Sequence, residues 1–133
     1  MEKILMFLAG FSLLIFPLNY LALAQENKDY QAWIVTKSEN SHLKIEAYCR
    51  NNSSEDSILR YKLKTQKRGE TGKTVSFQSG SVFIPAQEEK LLSQFGLRIS
   101  PEDKCRLKLE VYKEGKLVTE DFVVYPPELK IWI

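Results

Sequence analysis

The amino-acid sequence predicts an all-β domain, and two features of residues 25–125 lead to this fold class. Apolar and polar residues alternate along most of this stretch, and no window keeps the three-to-four-residue apolar spacing of an amphipathic helix. Segments rich in glycine, proline, asparagine and serine interrupt the alternation at regular intervals, as turns between short strands do. Seven short strands in about 100 residues most often form an immunoglobulin-like β-sandwich, with a β-barrel as the alternative.

The two ends of the chain are expected to lie outside this domain. Residues 1–24 read as a signal peptide, because an apolar run follows Lys3 and ends in Ala22-Leu23-Ala24, a motif with small residues where signal peptidase cleaves. An uncleaved membrane anchor is the alternative, since about 20 apolar residues can span a bilayer. Residues 126–133 form a C-terminal tail whose apolar end, Ile131-Trp132-Ile133, either folds back over the sandwich or contacts a partner.

Seven strands are predicted between the turns. They are Tyr30–Lys37, His42–Arg50, Ile58–Gln66, Thr74–Ile84, Glu89–Ile99 with an interruption at Gly96, Lys104–Lys113 and Lys116–Tyr125. The link Glu114-Gly115 predicts an antiparallel hairpin of the last two strands, because glycine accepts the positive φ of a tight turn. The polar stretch Gln78-Ser79-Gly80 is interpreted as structural, with Gly80 permitting a kink or bulge where the fourth strand changes partner.

The same alternation predicts which side chains are buried. The expected inward-facing residues of the second, third and sixth strands are Leu43, Ile45, Ala47, Cys49, Tyr61, Leu63, Cys105, Leu107, Leu109 and Val111. Trp33 and Val35 of the first strand are expected to close one end of this core.

The two cysteines, Cys49 and Cys105, leave two interpretations open. An exported chain with an even cysteine count favours a disulfide. The strand positions favour two buried free thiols, because Cys49 ends one strand while Cys105 begins another. This offset places them on the order of 20 Å apart, beyond the ~7 Å between Cα atoms that a disulfide allows.

The sequence offers little for catalysis or for cofactor binding. His42 is the only histidine, on a predicted solvent face, and no Cys/His spacing resembles a zinc motif. The acidic pairs Glu88-Glu89, Glu102-Asp103 and Glu120-Asp121 lie beside turns or strand ends, where solvated charge is the usual explanation. We therefore expect no enzyme, no metal and no cofactor.

A cluster of basic residues is the most distinctive surface feature. The third and sixth strands are expected to be antiparallel neighbours, so their outward side chains should share one exposed sheet face. The candidate binding residues are Arg60, Lys62, Lys64, Arg106 and Lys108, with Tyr112 at the margin and Lys67 and Arg68 beyond the strand end. This clustering creates a local positive potential although the net charge is only +2, a value that does not require nucleic acid as a partner. A solubilising face that blocks edge pairing is the alternative, and the nearby Glu110 weakens the potential.

A series of short motifs lies between about Ala32 and Val124. It comprises Gln78-Ser79-Gly80-x-x-Phe83, a charged stop, Leu91-Leu92, Leu107–Tyr112 and Gly115. This series resembles the CsgH/CsgC group of curli assembly proteins. The resemblance implies an immunoglobulin-like sandwich in the bacterial periplasm that keeps secreted curli-type subunits from forming amyloid prematurely. The Cys-x-Cys feature of CsgC is absent here, so no redox role is implied, and we expect the chain to lie nearer to CsgH than to CsgC.

This resemblance implies that the partners are curli-type amyloid subunits. The protein would be a monomer that binds them transiently and without ATP, with no stable membrane association after cleavage. A structural or adhesive accessory subunit of a surface fibre is the alternative from a different class. A thiol-dependent factor, which would need Cys49 and Cys105, is a third hypothesis.

Overall fold

A computed structural model describes residues 29–127, which form seven strands. They are β1 (Tyr30–Glu39), β2 (His42–Asn51), β3 (Ser57–Gly69), β4 (Gly72–Ile84), β5 (Glu89–Arg98), β6 (Lys104–Lys113) and β7 (Lys116–Tyr125). The all-β prediction is confirmed. The predicted signal peptide and the apolar end of the C-terminal tail lie outside the described residues. Within residues 29–127 we find no helix with the length and hydropathy of a membrane span.

The strands form two antiparallel sheets, which confirms the predicted β-sandwich. One sheet has the order β1-β2-β5, and the other has the order β4-β3-β6-β7. The predicted hairpin of β6 and β7 is present, and its turn residues Glu114 and Gly115 both have positive φ, 52° and 82°. Strands β3 and β6 are neighbours at the centre of the four-stranded sheet, as predicted.

The core lies between the two sheets. Leu43, Ile45, Leu63, Leu107 and Leu109 have no solvent exposure, and the other predicted inward-facing residues are buried except Tyr61, which is half-buried against the core.

The prediction for β1 was wrong by one residue. Ala32 and Ile34 are the buried side chains, whereas Trp33 lies on the outer face and stacks on Tyr48 with ring centroids 5.4 Å apart. Because side chains alternate along a strand, a one-residue error in phase assigns the whole strand to the wrong face.

Gly80 does not mark a bulge or a change of strand partner. Strand β4 stays paired with β3 from Gly72 to Ile84, and Gly80 lies opposite Tyr61. A Cβ atom on Gly80 would lie 3.0 Å from the Tyr61 hydroxyl oxygen and 3.1 Å from its ring. A larger residue at this position would have to displace the Tyr61 ring, which lies across it.

The irregularity in β5 is also displaced from the predicted position. Gly96 pairs regularly with Lys44, and the register shift between β2 and β5 occurs between Ala47 and Tyr48. The extra residue on β5 at that point is a β-bulge, a common feature of edge strands.

Hydrogen bonds between the two sheets differ at the two sides of the sandwich. On the β1–β7 side, the Ala32 amide donates to the Thr119 hydroxyl oxygen at 3.2 Å, and the Ile34 amide donates to the Asp121 carboxylate at 2.9 Å. On the β4–β5 side, the Ser93 hydroxyl donates to the Gln78 side-chain oxygen. The β1 edge is thus covered by side chains of β7, while β4 and β5 meet through this side-chain contact.

A buried asparagine organises one end of the sandwich. Asn51 has no solvent exposure, and its amide nitrogen donates to the carbonyl oxygens of Glu55 at 2.8 Å and Ile84 at 2.9 Å. Its side-chain oxygen accepts hydrogen bonds from the Ser53 backbone amide at 2.9 Å and the Ser53 hydroxyl at 2.7 Å. One side chain therefore connects the end of β2, the following loop and the end of β4.

Candidate functional site

The six candidate binding residues lie together on the outer face of the four-stranded sheet. Across β3 and β6, Arg60 lies opposite Tyr112 and Lys64 lies opposite Lys108. Directly opposite residues of an antiparallel pair point to the same side of the sheet. The candidate residues on this basic face are the exposed Arg60, Lys62, Lys64, Arg106 and Lys108 and the half-buried Tyr112.

The basic face extends further than predicted at one end, and it excludes one expected residue. Strand β3 continues to Gly69, so Arg68 lies within the strand, opposite Lys104. Lys67 points to the other side of the sheet, where its Nζ donates to the Arg98 carbonyl oxygen at 3.0 Å and lies 3.9 Å from the Asp103 carboxylate. The expectation that Lys67 joins the basic face was wrong, because Lys67 has the inward phase of the strand.

Two carboxylates interrupt the positive charge. Glu110 lies opposite Lys62 on one side and Glu120 on the other. Its carboxylate is 3.4 Å from Lys108 Nζ and accepts a hydrogen bond from the Tyr112 hydroxyl at 2.9 Å, which raises the pKa of Tyr112. Because the cations outnumber these two carboxylates, the face keeps a positive potential.

Exposed apolar side chains surround the cations, and the sequence reasoning did not identify them. Among residues 29–127, six of the seven large apolar side chains that are exposed lie on this same face. They are Ile58, Val75, Phe77, Phe83, Leu117 and Phe122. Phe77 is 70% exposed and Ile58 is 68% exposed. This concentration of exposed apolar groups makes the same face a candidate interaction surface.

The apolar and basic groups are arranged in rows across the sheet. One row runs Phe77, Lys64, Lys108 and Phe122, which places two lysines between two exposed phenylalanines. Lys64 Nζ lies 5.8 Å from the centre of the Phe77 ring, within the range of a cation–π contact. The five candidate cations thus lie on the central strands β3 and β6, and the exposed phenylalanines lie on the edge strands β4 and β7.

Other polar groups that could carry chemistry have structural contacts. His42 is exposed, and its Nδ1 lies 3.2 Å from the Asn40 carbonyl oxygen. The Asp103 carboxylate accepts a hydrogen bond from the Ser100 amide at 2.8 Å. No group of three or more histidine, cysteine or acidic residues within residues 29–127 is placed to hold a metal ion. The described residues therefore offer a binding face as the candidate site.

Both cysteines are free and fully buried, as the strand positions suggested. Burial raises the pKa of the Cys49 thiol to about 12, and it also raises the pKa of Cys105. A thiol reacts as the thiolate. Neither side chain is therefore suited to redox chemistry in the folded protein.

The raised thiol pKa predicts a loss of stability at alkaline pH. The unfolded chain releases the Cys49 proton above its ordinary pKa of about 8.5, whereas the folded chain retains it up to about pH 12. Between these values Cys49 alone should lower the free energy of unfolding by about 1.4 kcal/mol per pH unit. Urea unfolding under reducing conditions should show a shallower decline for Cys49→Ala than for the unchanged protein. If the free energy of unfolding declined with pH at the same rate in both proteins, this prediction would be contradicted.

Comparisons with known proteins address the fold. No protein-family model matches the chain, and no curated protein matches it by sequence. The solved structure of the E. coli curli protein CsgC matches with a TM-score of 0.61 at 19% identity, covering 74% of this chain and 99% of CsgC. The solution structure of R. palustris CsgH matches with a TM-score of 0.57 at 17% identity, covering 77% of this chain and 97% of CsgH.

The chain is CsgC/CsgH-like in its fold. These matches confirm the CsgC/CsgH-like fold that the resemblance implied, and they do not place the chain nearer to CsgH than to CsgC. The CsgC/CsgH-like chain also matches Bacteroides uniformis beta-glucuronidase 2 with a TM-score of 0.53 at 12% identity. This match covers 72% of the chain but 14% of the glucuronidase, so it concerns one sandwich-shaped part of a much larger protein.

Proposed function

We propose that this protein is a periplasmic, ATP-independent chaperone that inhibits premature amyloid assembly by curli-type subunits. The observation that carries the proposal is the basic face with its exposed aromatic side chains, on a sandwich with the fold of two curli proteins. Amyloid-forming chains expose apolar side chains and unpaired strand edges before their strands pair. A rigid face that matches these groups can bind them weakly and delay nucleation. In this proposal the protein is not an enzyme, and it acts as a monomer.

The arrangement of the cations supports binding over simple solubility. Proteins that block edge pairing with charge place lysines on their edge strands. Here Lys62, Lys64 and Lys108 lie on the two central strands, which already have partners on both sides. Edge protection therefore does not account for the basic face, which supports a role for this face in binding a partner.

A nucleation assay tests the proposal. The protein, produced from the full chain by export to the periplasm, is added in substoichiometric amounts to a curli-type subunit, and amyloid-dye fluorescence is followed. We expect a lag several-fold longer than that of the subunit alone, because a small amount of inhibitor suffices where nucleation limits the rate. An unchanged lag would overturn the proposal.

Cell fractionation separates this proposal from a structural role. A chaperone stays in the soluble periplasmic fraction and is absent from purified fibres. Stoichiometric incorporation into fibres would instead identify an accessory subunit of the fibre.

A further inference from the structure

The edge strand β4 has features that sheet edges usually lack. It is 13 residues long, it pairs with β3 through its whole length without a register shift, and no other segment within residues 29–127 pairs with its far side. From Thr74 to Ile84 it contains no charged residue and no proline. Soluble proteins normally protect such an edge with charge, proline, a bulge or a covering segment. This edge is therefore able to accept another strand.

The outward side chains of β4 leave a path from the edge to the cations. Ser79 lies opposite Lys62, and Ser81 lies opposite Arg60. Neighbouring strands are about 4.8 Å apart, so a strand added to β4 would lie roughly 10 Å from β3. The two serines are short, so Arg60 can extend over Ser81 toward an acidic side chain on the added strand. Lys62 Nζ lies 5.7 Å from the centre of the Tyr112 ring on β6, and rotation of this side chain away from the ring would bring it over Ser79.

Aromatic and aliphatic side chains flank this path at both ends. Phe77 precedes Ser79 on the same face, and Phe83 follows Ser81. Phe83 also lies opposite Ile58, and both line an open groove of about 620 Å³ that includes Arg60. Along β4, an added strand would thus lie beside an apolar side chain, then two serines that each have a cation on the strand behind, and then a second apolar side chain.

We propose that the open edge of β4 binds an extended polypeptide segment as an additional strand, with acidic side chains at two alternate positions and an apolar side chain at the alternate position on each side of them. Strand addition of this kind gains affinity from backbone hydrogen bonds and specificity from alternate side chains. The pattern is the same in both chain directions, so it suits parallel or antiparallel addition. The inference rests on the proposed function, because it names the segment that the client presents.

Charge complementarity favours this occupant over a second copy of the chain. Pairing of β4 with β4 of another copy would place two sets of Arg60 and Lys62 on one continuous sheet without opposing carboxylates from either β4. An acidic segment supplies the missing negative charge. A second copy does not.

A peptide with alternating threonines tests the pattern. In the order Phe-Thr-Glu-Thr-Glu-Thr-Phe, the glutamates share a face with the phenylalanines. In the control, Phe-Glu-Thr-Thr-Thr-Glu-Phe, the composition is the same but the glutamates face the other way. We expect the first peptide to bind about tenfold more tightly than the control. Hydrogen exchange should slow at β4 amides and remain unchanged in β7.

Matched variants test the position. Ser79→Glu with Ser81→Glu should abolish the preference for the first peptide. Thr74→Glu with Ser76→Glu, the same change of charge on the opposite face of the same strand, should leave the preference intact. Equal binding of both peptides, or protection outside β4, would overturn the inference. Concentration-dependent dimerisation that protects β4 without peptide would overturn it in favour of a second copy.

If the nucleation assay succeeds and the peptide assay fails, only the edge assignment is lost. If the peptide binds at β4 but the nucleation lag is unchanged, the chaperone proposal is refuted.

Discussion

Replacement of Arg60, Lys62 and Lys64 by glutamate is expected to return the amyloid lag time to that of the subunit alone. All three side chains are exposed on the central strand β3, so the change converts the strongest part of the basic face to negative charge. Electrostatic attraction of this kind raises association rates by about tenfold or more, and repulsion removes that gain. The unchanged protein should also lose inhibition as salt rises, over the range where the Debye length falls below ~10 Å.

The matched control carries the same change of charge on the other sheet. Lys37, Lys44 and Lys90 are exposed on β1, β2 and β5, and their replacement by glutamate should leave the lag time long. Circular dichroism and urea unfolding check that both triple variants keep the fold. Full inhibition by the β3 variant would show that the basic face is not used. Equal loss in both variants would show that net charge matters and location does not.

The fold could be predicted because the apolar alternation is regular in the strands that form the core. In β2 and β6 every second residue is apolar and the residues between are polar, so a single phase fits. In β1 the run Ala32-Trp33-Ile34-Val35 is apolar at every position, and both phases fit the sequence equally well. The observed phase buries Ala32 and Ile34 and stacks Trp33 on Tyr48, and both results depend on neighbouring strands.

The basic half of the candidate site was predictable, and its apolar half was not. The cations follow from alternation within β3 and β6, each taken alone. The exposure of Phe77 and Phe83 depends on the register of β4 against β3, which the turn at Glu70-Thr71 sets by pairing Gly69 with Gly72. The sequence predicts a turn in this segment, but it does not show that Gly69 and Gly72 are the residues that pair on either side of it. The mixed character of the face therefore emerges only from the structure.

Replacement of Asn51 by alanine is expected to destabilise the protein by about 3 kcal/mol, a large effect for a residue that the sequence places in a turn. The change removes the Asn51 donor from the carbonyl oxygens of Ile84 and Glu55, of which Glu55 keeps the Ser53 hydroxyl at 3.0 Å. It also leaves the Ser53 amide without its side-chain acceptor. Each unsatisfied buried group costs about 1–3 kcal/mol, and water entering the site recovers part of this. Urea unfolding at neutral pH measures the difference, and retention of full stability would contradict the proposed role of the network.

Two further variants separate the hydrogen-bond network from simple packing. Asn52→Ala removes a side chain whose oxygen accepts a hydrogen bond from Arg50 Nε at 2.7 Å in a half-buried position, so it should cost less than about 1 kcal/mol. Asn51→Asp keeps the size of the side chain but places a carboxylate against the two carbonyl oxygens. Burial beside these oxygens should raise the pKa of the new carboxyl in the folded state, so stability should fall as pH rises above about 4, the pKa in the unfolded chain. If packing alone mattered, Asn51→Asp would be as stable as the unchanged protein at every pH, and the connection between β2, the loop and β4 would not depend on the donor groups of Asn51.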